Sequence, residues 1–249
     1  MTTEEIMGVP VDVLTYDDIV NDLPNYLNNN GKKMSAVSVN PQIIVEGQKY
    51  PEIYPFIKRS THRIPDGIGI VLVSKLIGGQ IKERVAGIEL MYRFLEYANK
   101  EKKSIFLYGA KPAVVDDAAL QIKKNYPDLK LSGKIDGYTN LTEEEIIKKI
   151  NLARPDFLFV ALGFPKQEEW LARNIPRLDV SVFQDVGGSF DVLSGHVKRA
   201  PQFFINVHLE WLYRSLSDPK RFKRILQLPL FVIKSLCWKV CTKNDKKNS

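Results

Sequence analysis

The chain has 249 residues, of which 44% are hydrophobic and 26% charged, a composition typical of a globular protein with one substantial core. Its net charge of +7 arises at one end. Residues 198–249 carry 12 Lys and Arg against 3 Asp and Glu, whereas residues 1–197 carry 24 against 26. The acidic N-terminus does not read as a secretory signal, and no apolar stretch predicts a membrane-spanning helix.

Short apolar strands and amphipathic helices alternate along the body of the chain. The sequence predicts strands at 35–40, 104–109, 129–133, 156–162 and 180–186. It predicts helices at 16–29, 41–49, 68–78, 86–102, 112–125, 142–153, 166–174 and 202–215. The alternation predicts an α/β protein, a three-layer sandwich with a mostly parallel, Rossmann-like sheet and a basic helical C-terminal appendage.

The basic C-terminal part separates from the body by composition. We expect a catalytic α/β domain over 1–197, a helical membrane-docking appendage over 198–241 and a disordered tail over 242–249. Cys237 and Cys241 lie one helical turn apart, which is poorly suited to a disulfide, so we expect apolar side chains in a reducing compartment.

A helix is predicted between Ile225 and Cys241, where apolar residues recur on one face. These residues are Leu226, Leu230, Ile233, Cys237 and Val240. Together with the surrounding basic residues, this face favours a helix that lies in the interface of an anionic membrane. The alternative, a helix that packs on the body or on a partner subunit, remains open.

Ligands of such folds bind beyond the carboxyl ends of the strands, and several loops there contain reactive residues. Gly187-Gly188-Ser189 can present backbone N–H groups to a phosphate, although such a turn can also be a simple tight connection. No Gly-x-Gly-x-x-Gly follows the early strands and no Gly-Lys-Ser/Thr loop is present, which disfavours dinucleotide cofactors and ATP hydrolysis. The three histidines are not spaced as metal ligands, so metal-dependent catalysis is not expected.

Two charged loop residues have alternative interpretations. Asp66, between Pro65 and Gly67, lies where a turn presents a carboxylate, but an Asx-turn or a helix cap would use the same residue. Arg84 could be no more than one partner of a surface ion pair. The residues by themselves leave both roles open.

Several motifs, in order, resemble the WecG/TagA/CpsF glycosyltransferase family from about residue 7 to about residue 236. The motifs are Pro65-Asp66-Gly67-x-Gly69, Glu83-Arg84-Val85-Ala86-Gly87, Gly163-Phe164-Pro165-Lys166-Gln167-Glu168, Gly187-Gly188-Ser189-Phe190-Asp191, Lys198-Arg199-Ala200-Pro201 and Glu210-Trp211-Leu212-Tyr213-Arg214. The resemblance implies an inverting, metal-independent enzyme without a cofactor. Such enzymes transfer a sugar, N-acetylmannosamine in the best-known members, from a UDP-sugar to undecaprenyl-diphosphate-linked N-acetylglucosamine. The product serves wall teichoic acid synthesis, and other members use other UDP-sugars, for example in capsule synthesis.

The resemblance also implies roles for individual residues. Asp66 is the expected general base, with Ser38 and Asn40 as polar groups near the reacting sugars. Ser38 stands where the family usually has Thr, which retains the hydroxyl but leaves its positioning and the donor preference open. The expected substrate-binding residues are Arg84, Gln167, Gly187 and Gly188 for the UDP diphosphate, Tyr138 and Asp191 for the uridine, and Arg214, Arg221 and Arg224 for the lipid diphosphate.

The expected partners are therefore a UDP-sugar, the lipid-linked acceptor, a second copy of the chain and the cytoplasmic face of the plasma membrane, to which the protein would bind peripherally. Nucleic acid is not an expected partner. Two competing hypotheses remain. One is a nucleic-acid-binding α/β protein whose basic tail pairs with phosphates. The other is a soluble nucleotide-sugar enzyme whose tail is only a subunit interface.

Overall fold

The computed structural model describes residues 2–28, 31–201, 203–204 and 227–245. The strands in these ranges are β1 Thr3–Ile6, β2 Val9–Asp12, β3 Met34–Val39, β4 His62–Pro65, β5 Ser104–Gly109, β6 Lys130–Ile135, β7 Phe157–Ala161 and β8 Val182–Asp185. The α-helices are α1 Tyr16–Asp22, α2 Pro24–Leu27, α3 Pro41–Glu46, α4 Ile53–Arg59, α5 Ile68–Leu76, α6 Gly87–Lys100, α7 Pro112–Asn125, α8 Glu143–Ala153, α9 Lys166–Asn174, α10 Ser189–Leu193 and α11 Gln227–Asp245.

Six strands form one parallel sheet in the order β4-β3-β8-β7-β5-β6, and both faces of this sheet are covered. Leu158 and Val160 of β7 belong to a core cluster with α3, α4, α5, α8 and α9. Phe157 and Phe159, which alternate with them, belong to a second cluster with α1, α6, α7 and α10. The predicted three-layer α/β sandwich is confirmed.

The five predicted strands are present with ends within two residues of the prediction, but the structure adds a hairpin and an edge strand. Strands β1 and β2 pair through a tight turn in which Met7 and Gly8 both have positive φ. The sequence does not predict this hairpin, because Glu4 and Glu5 make β1 polar. Strand β4 includes residues that the sequence predicts as part of a loop, because it ends on Pro65, which the edge of a sheet tolerates.

The predicted helices of the body are also found, with two differences. The helix predicted over 16–29 is divided at Leu23, because Pro24 has no N–H to continue the hydrogen-bond ladder of α1. Helices α4 and α10 were not predicted. Ile53, Phe56 and Ile57 bury α4 in the core, and Phe190 and Leu193 bury α10. The helix predicted over 202–215 falls outside the described residues except for 203–204.

Helix α11 includes most of the helix predicted between Ile225 and Cys241, but the face that packs on the body is a different one. Phe231 and Ser235 are fully buried where α11 contacts α3 and α5. Leu230, Ile233 and Val240, which belong to the predicted apolar face, are 43–60% exposed. The helix thus packs on the body and still presents apolar side chains outward.

Two further features of the described segments bear on predictions from the sequence. None of their helices has both the length and the apolarity that crossing a bilayer requires. Cys237 and Cys241 are free thiols on the exposed side of α11.

Candidate active site

A cavity of about 510 Å³ opens at the carboxyl ends of β3, β4, β7 and β8. Strand β8 lies beside β3, and the helices after them, α10 and α3, belong to opposite faces of the sheet. Where the helices after two neighbouring strands lie on opposite faces of the sheet, a crevice opens in which α/β proteins bind ligands. The structure brings these predicted site residues together in its lining: Ser38, Asn40, Asp66, Arg84, Gln167, Gly187, Gly188 and Asp191.

Asp66 follows the last residue of β4 and faces the cavity. Its backbone N–H donates to the carbonyl of Val39, 3.0 Å away, and this bond ties the turn to the end of β3. Gly67, with a φ of 98°, is the N-cap residue of α5, and no side chain caps this helix. The helix-cap interpretation of Asp66 is therefore wrong for α5.

Arg84 forms an ion pair with Asp66 at the edge of the cavity. Its Nε lies 3.8 Å from Asp66 Oδ1, and the two side chains are only 16% and 25% exposed. The interpretation of Arg84 as a surface ion pair is thus wrong, and the attraction is screened less than between exposed groups. Arg84 Nε is buried and makes no hydrogen bond to any described residue, so it could donate to a ligand oxygen only after a movement of the side chain.

The start of α6 forms a wall beside the predicted catalytic residues. A Cβ atom at Gly87 would lie 3.1 Å from Ser38 Oγ and 3.8 Å from Asp66 Oδ2. The carbonyl of Gly87 accepts a hydrogen bond of 2.7 Å from Gln184 Nε2 of β8, which fixes the wall to the sheet. The absence of a side chain at Gly87 lets the helix approach both polar groups closely.

Asn40 has a structural role in addition to its place at the cavity. Its Oδ1 accepts a hydrogen bond of 3.0 Å from the Ile43 N–H and so caps α3, whose first residue is Pro41. The side chain is thereby held at the end of β3. Sequence reasoning assigned only the contact with the sugars and missed this cap.

Gln167 links two glycine turns to two buried carboxyl groups. Its Oε1 accepts hydrogen bonds from the N–H groups of Gly163 and Gly187, at 3.2 and 3.1 Å. Its Nε2 donates to Glu168 Oε1 at 2.9 Å and lies 3.4 Å from Asp185 Oδ2. The N–H donors and carboxyl acceptors fix the orientation of the amide, so Gln167 holds together the loops after β7 and β8.

The buried carboxyl groups of Glu168 and Asp185 line the same cavity, and the sequence analysis gave them no role. Burial raises the pKa of Glu168 to about 7. Burial and the charge of Glu168 raise the pKa of Asp185 well above its usual value. The hydrogen bond of 2.9 Å from the Ser38 N–H lowers this pKa, but its effect is smaller. The available signal was an Asp at the end of the apolar strand β8, at the edge of the sheet where ligands bind.

Some predicted residues lie elsewhere. Tyr138 follows β6 at the far edge of the sheet, is 70% exposed and is not among the described residues that line the cavity. Arg214, Arg221 and Arg224 fall outside the described residues. Leu228 of α11, in contrast, lines the cavity, so the C-terminal helix reaches the site.

Comparison with known proteins identifies a family for nearly the whole chain. The family model "Glycosyl transferase WecG/TagA/CpsF family" matches residues 4–245. An N-acetylglucosaminyldiphosphoundecaprenol N-acetyl-beta-D-mannosaminyltransferase of Bacillus spizizenii is 41% identical over 83% of this chain and 80% of its own. Proteins of the same name from Bacillus subtilis and Staphylococcus aureus strain MW2 are 37% and 33% identical, over 94% and 92% of this chain and 91% of their own lengths. With a match over nearly its whole length, the chain belongs to the WecG/TagA/CpsF glycosyl transferase family.

Proposed function

We propose that this chain transfers N-acetylmannosamine from UDP-N-acetylmannosamine to undecaprenyl-diphosphate-linked N-acetylglucosamine, in the synthesis of wall teichoic acid or a related cell-surface polymer. The observation that carries the proposal is the Asp66–Arg84 pair, a carboxylate and a cation at the mouth of the crevice. The names of the three relatives support the acceptor and the transferred sugar. Membership of the family supports a UDP-sugar as the donor.

Asp66 is the general base of the proposed reaction. It accepts the proton of the acceptor's 4-hydroxyl while that oxygen attacks the anomeric carbon of the donor, and the C–O bond to UDP breaks with inversion. A carboxylate with a pKa near 4 is a far weaker base than an alkoxide, so proton transfer must accompany the attack. Ser38 and Asn40, at the end of β3, position the sugars beside it.

The departing UDP gains negative charge, and fixed donors must stabilise it in the absence of a metal. Arg84 forms an ion pair with Asp66 across 3.8 Å, and its Nε makes no hydrogen bond to any described residue. When the diphosphate draws Arg84 towards itself, Asp66 loses its cation and becomes a better proton acceptor. Gln167 keeps the Gly187-Gly188 turn in place for the diphosphate, while Asp191 and, at the far edge, Tyr138 are the proposed uridine contacts.

The appendage, in this proposal, holds the protein on the cytoplasmic face of the plasma membrane. The exposed apolar side chains of α11 would enter the lipid surface, and Arg214, Arg221 and Arg224 would bind the lipid diphosphate. Residues 1–197 would then be the catalytic domain and 198–241 the docking appendage. The disordered tail expected over 242–249 is corrected at its start, because α11 continues to Asp245. We also propose a dimer.

The experiment is an assay of the purified chain with undecaprenyl-diphosphate-N-acetylglucosamine and a panel of UDP-sugars. We expect the highest kcat/KM with UDP-N-acetylmannosamine and no loss of activity in EDTA. A clear preference for another UDP-sugar would favour the alternative, a family member in capsule or exopolysaccharide synthesis. Transfer to no lipid-linked acceptor from any UDP-sugar would refute the proposal.

A further inference from the structure

The cavity poses an electrostatic problem for an anionic donor. Its described lining contains four carboxyl groups, of Asp66, Glu168, Asp185 and Asp191, and one guanidinium group, of Arg84. If all four carboxyl groups were ionised, the described lining would repel a diphosphate. Like charges in a partly buried site repel more strongly than in water.

Two of these carboxyl groups, Glu168 and Asp185, are arranged as a pair around one amide. Gln167 Nε2 lies 2.9 Å from Glu168 Oε1 and 3.4 Å from Asp185 Oδ2. The other oxygen of Asp185 accepts the Ser38 N–H at 2.9 Å. Glu168 Oε2 is fully buried and makes no hydrogen bond to any described residue.

An ionised Glu168 would leave that buried oxygen charged without a hydrogen-bond donor, at a large cost in desolvation. A proton on the pair removes most of this cost. It also lets one amide bridge two carboxyl groups without charge repulsion between them. The upward pKa shifts of both groups, for which burial is the largest cause, agree with this geometry.

We propose that Glu168 and Asp185 are positioning residues that keep at least one proton between them, and that this proton allows the cavity to bind an anionic UDP-sugar. The inference rests on the proposed function, since it requires the cavity to be the donor site. Loss of the proton adds a negative charge to the lining. It also disturbs Gln167, which holds the Gly187 turn for the diphosphate.

The charged groups around the pair come from several elements. Asp66, after β4, and Glu169, on α9, add negative charge, which favours retention of the proton. Arg84, before α6, is paired with Asp66 and so offsets part of that charge. Donor binding should therefore weaken as the pair ionises.

The test measures kcat and the donor KM from about pH 6 to about pH 9, a range in which the diphosphate of a UDP-sugar does not titrate. For the wild type we expect the donor KM to rise above about pH 7, approaching tenfold per pH unit, with kcat nearly constant. Glu168→Gln and Asp185→Asn each make one member of the pair permanently neutral, and either should flatten this rise. Glu169→Gln, at a neighbouring and partly exposed position, is the matched control. It should keep the rise in KM, shifted only slightly to lower pH because one nearby negative charge is removed.

Thermal unfolding would show whether one of the two neutral variants fails to fold. If one fails, the other still tests the inference. A folded Glu168→Gln or Asp185→Asn enzyme with the wild-type rise in KM would overturn the inference while the proposed function stood. So would a donor KM of the wild type that does not change over this range. If the wild type binds no UDP-sugar at any pH, the proposed function fails and the inference fails with it.

Discussion

At the scale of single residues, the site contains two opposite charges, and both side chains are largely buried. Asp66 and Arg84 face each other across 3.8 Å, and both line the cavity. A permanent partner for the carboxylate would lower its value as a base. Under the proposed function, the ion pair is the resting state of the site, and donor binding would convert it into the active one.

The first prediction concerns the base itself. Asp66→Asn keeps the size of the side chain but cannot accept the proton, so transfer should fall roughly 100-fold or more. UDP binding, measured by calorimetry, should remain nearly unchanged. Asp191→Asn, also at the cavity, is the comparison, since it should affect donor binding more than turnover. Near-normal kcat in Asp66→Asn would exclude this residue as the base.

The second prediction concerns stability, which Glu168 should make dependent on pH. In the unfolded chain this carboxyl group ionises near 4.5, whereas in the fold it keeps its proton until its pKa of about 7. The wild type therefore loses more stability than Glu168→Gln as the pH rises from about 4.5 to about 7, because only Asp185 of the pair can still ionise in the variant. The gain of the variant over the wild type should grow by on the order of 2 kcal/mol across this range.

Urea unfolding of both proteins at about pH 5 and about pH 8 measures this difference. Glu169→Gln serves again as the control, because its side chain is partly exposed. An equal difference between Glu168→Gln and the wild type at both pH values would show that Glu168 is not protonated in the fold.

At the scale of elements, α11 has two different faces. Its inner face buries Phe231 against α3 and α5 and places Leu228 at the cavity. Gly69 of α5 makes this approach possible, because a Cβ atom there would lie 2.5 Å from Leu228 Cδ1. The outer face exposes Leu230, Ile233 and Val240, although exposed side chains of this kind are costly to leave in water in a contiguous row.

The third prediction follows from the outer face. The double change Ile233→Ser and Val240→Ser should lower binding to anionic vesicles at least tenfold, because two apolar side chains no longer enter the lipid. UDP binding should not change, since neither residue lines the cavity. Leu152→Ser, a 75% exposed leucine on α8, is the matched control in vesicle sedimentation. Unchanged vesicle binding by the double variant would argue against α11 as the membrane contact.

At the scale of the whole molecule, charge and chemistry are separated along the chain. The body carries nearly equal numbers of acidic and basic residues, and the excess of Lys and Arg is confined to residues 198–249. A neutral body does not compete with the appendage for an anionic surface. This distribution favours an orientation in which the C-terminal part meets the membrane first.

The fourth prediction tests this distribution. Binding of the full chain to vesicles that contain phosphatidylglycerol should weaken strongly between about 0.05 M and about 0.5 M salt, because the Debye length shortens. Vesicles of phosphatidylcholine alone should bind less at every salt concentration. Tighter binding to duplex DNA than to the anionic vesicles at about 0.15 M salt would contradict a membrane role.

The sequence alone was enough for the layers of this fold and named eight of the residues that line the cavity. Apolar periodicity is a local property, so runs such as Phe157 to Val160 predicted buried parallel strands correctly. The prediction of secondary structure was wrong where the local sequence pattern of a segment and its tertiary contacts favour different structures. Strand β4 needs its neighbour β3 to be a strand, and its Pro65 is acceptable only because β4 lies at the edge of the sheet.

Only the tertiary structure decided how the site residues relate to each other. Ser38, Asp66 and Asp185 are far apart in the chain and meet because their parallel strands end at one edge of the sheet. The raised pKa of Glu168 comes from burial, which no local pattern encodes. The buried face of α11 was likewise fixed by contact with α3 and α5, because packing free energy depends on neighbours that the sequence does not place side by side.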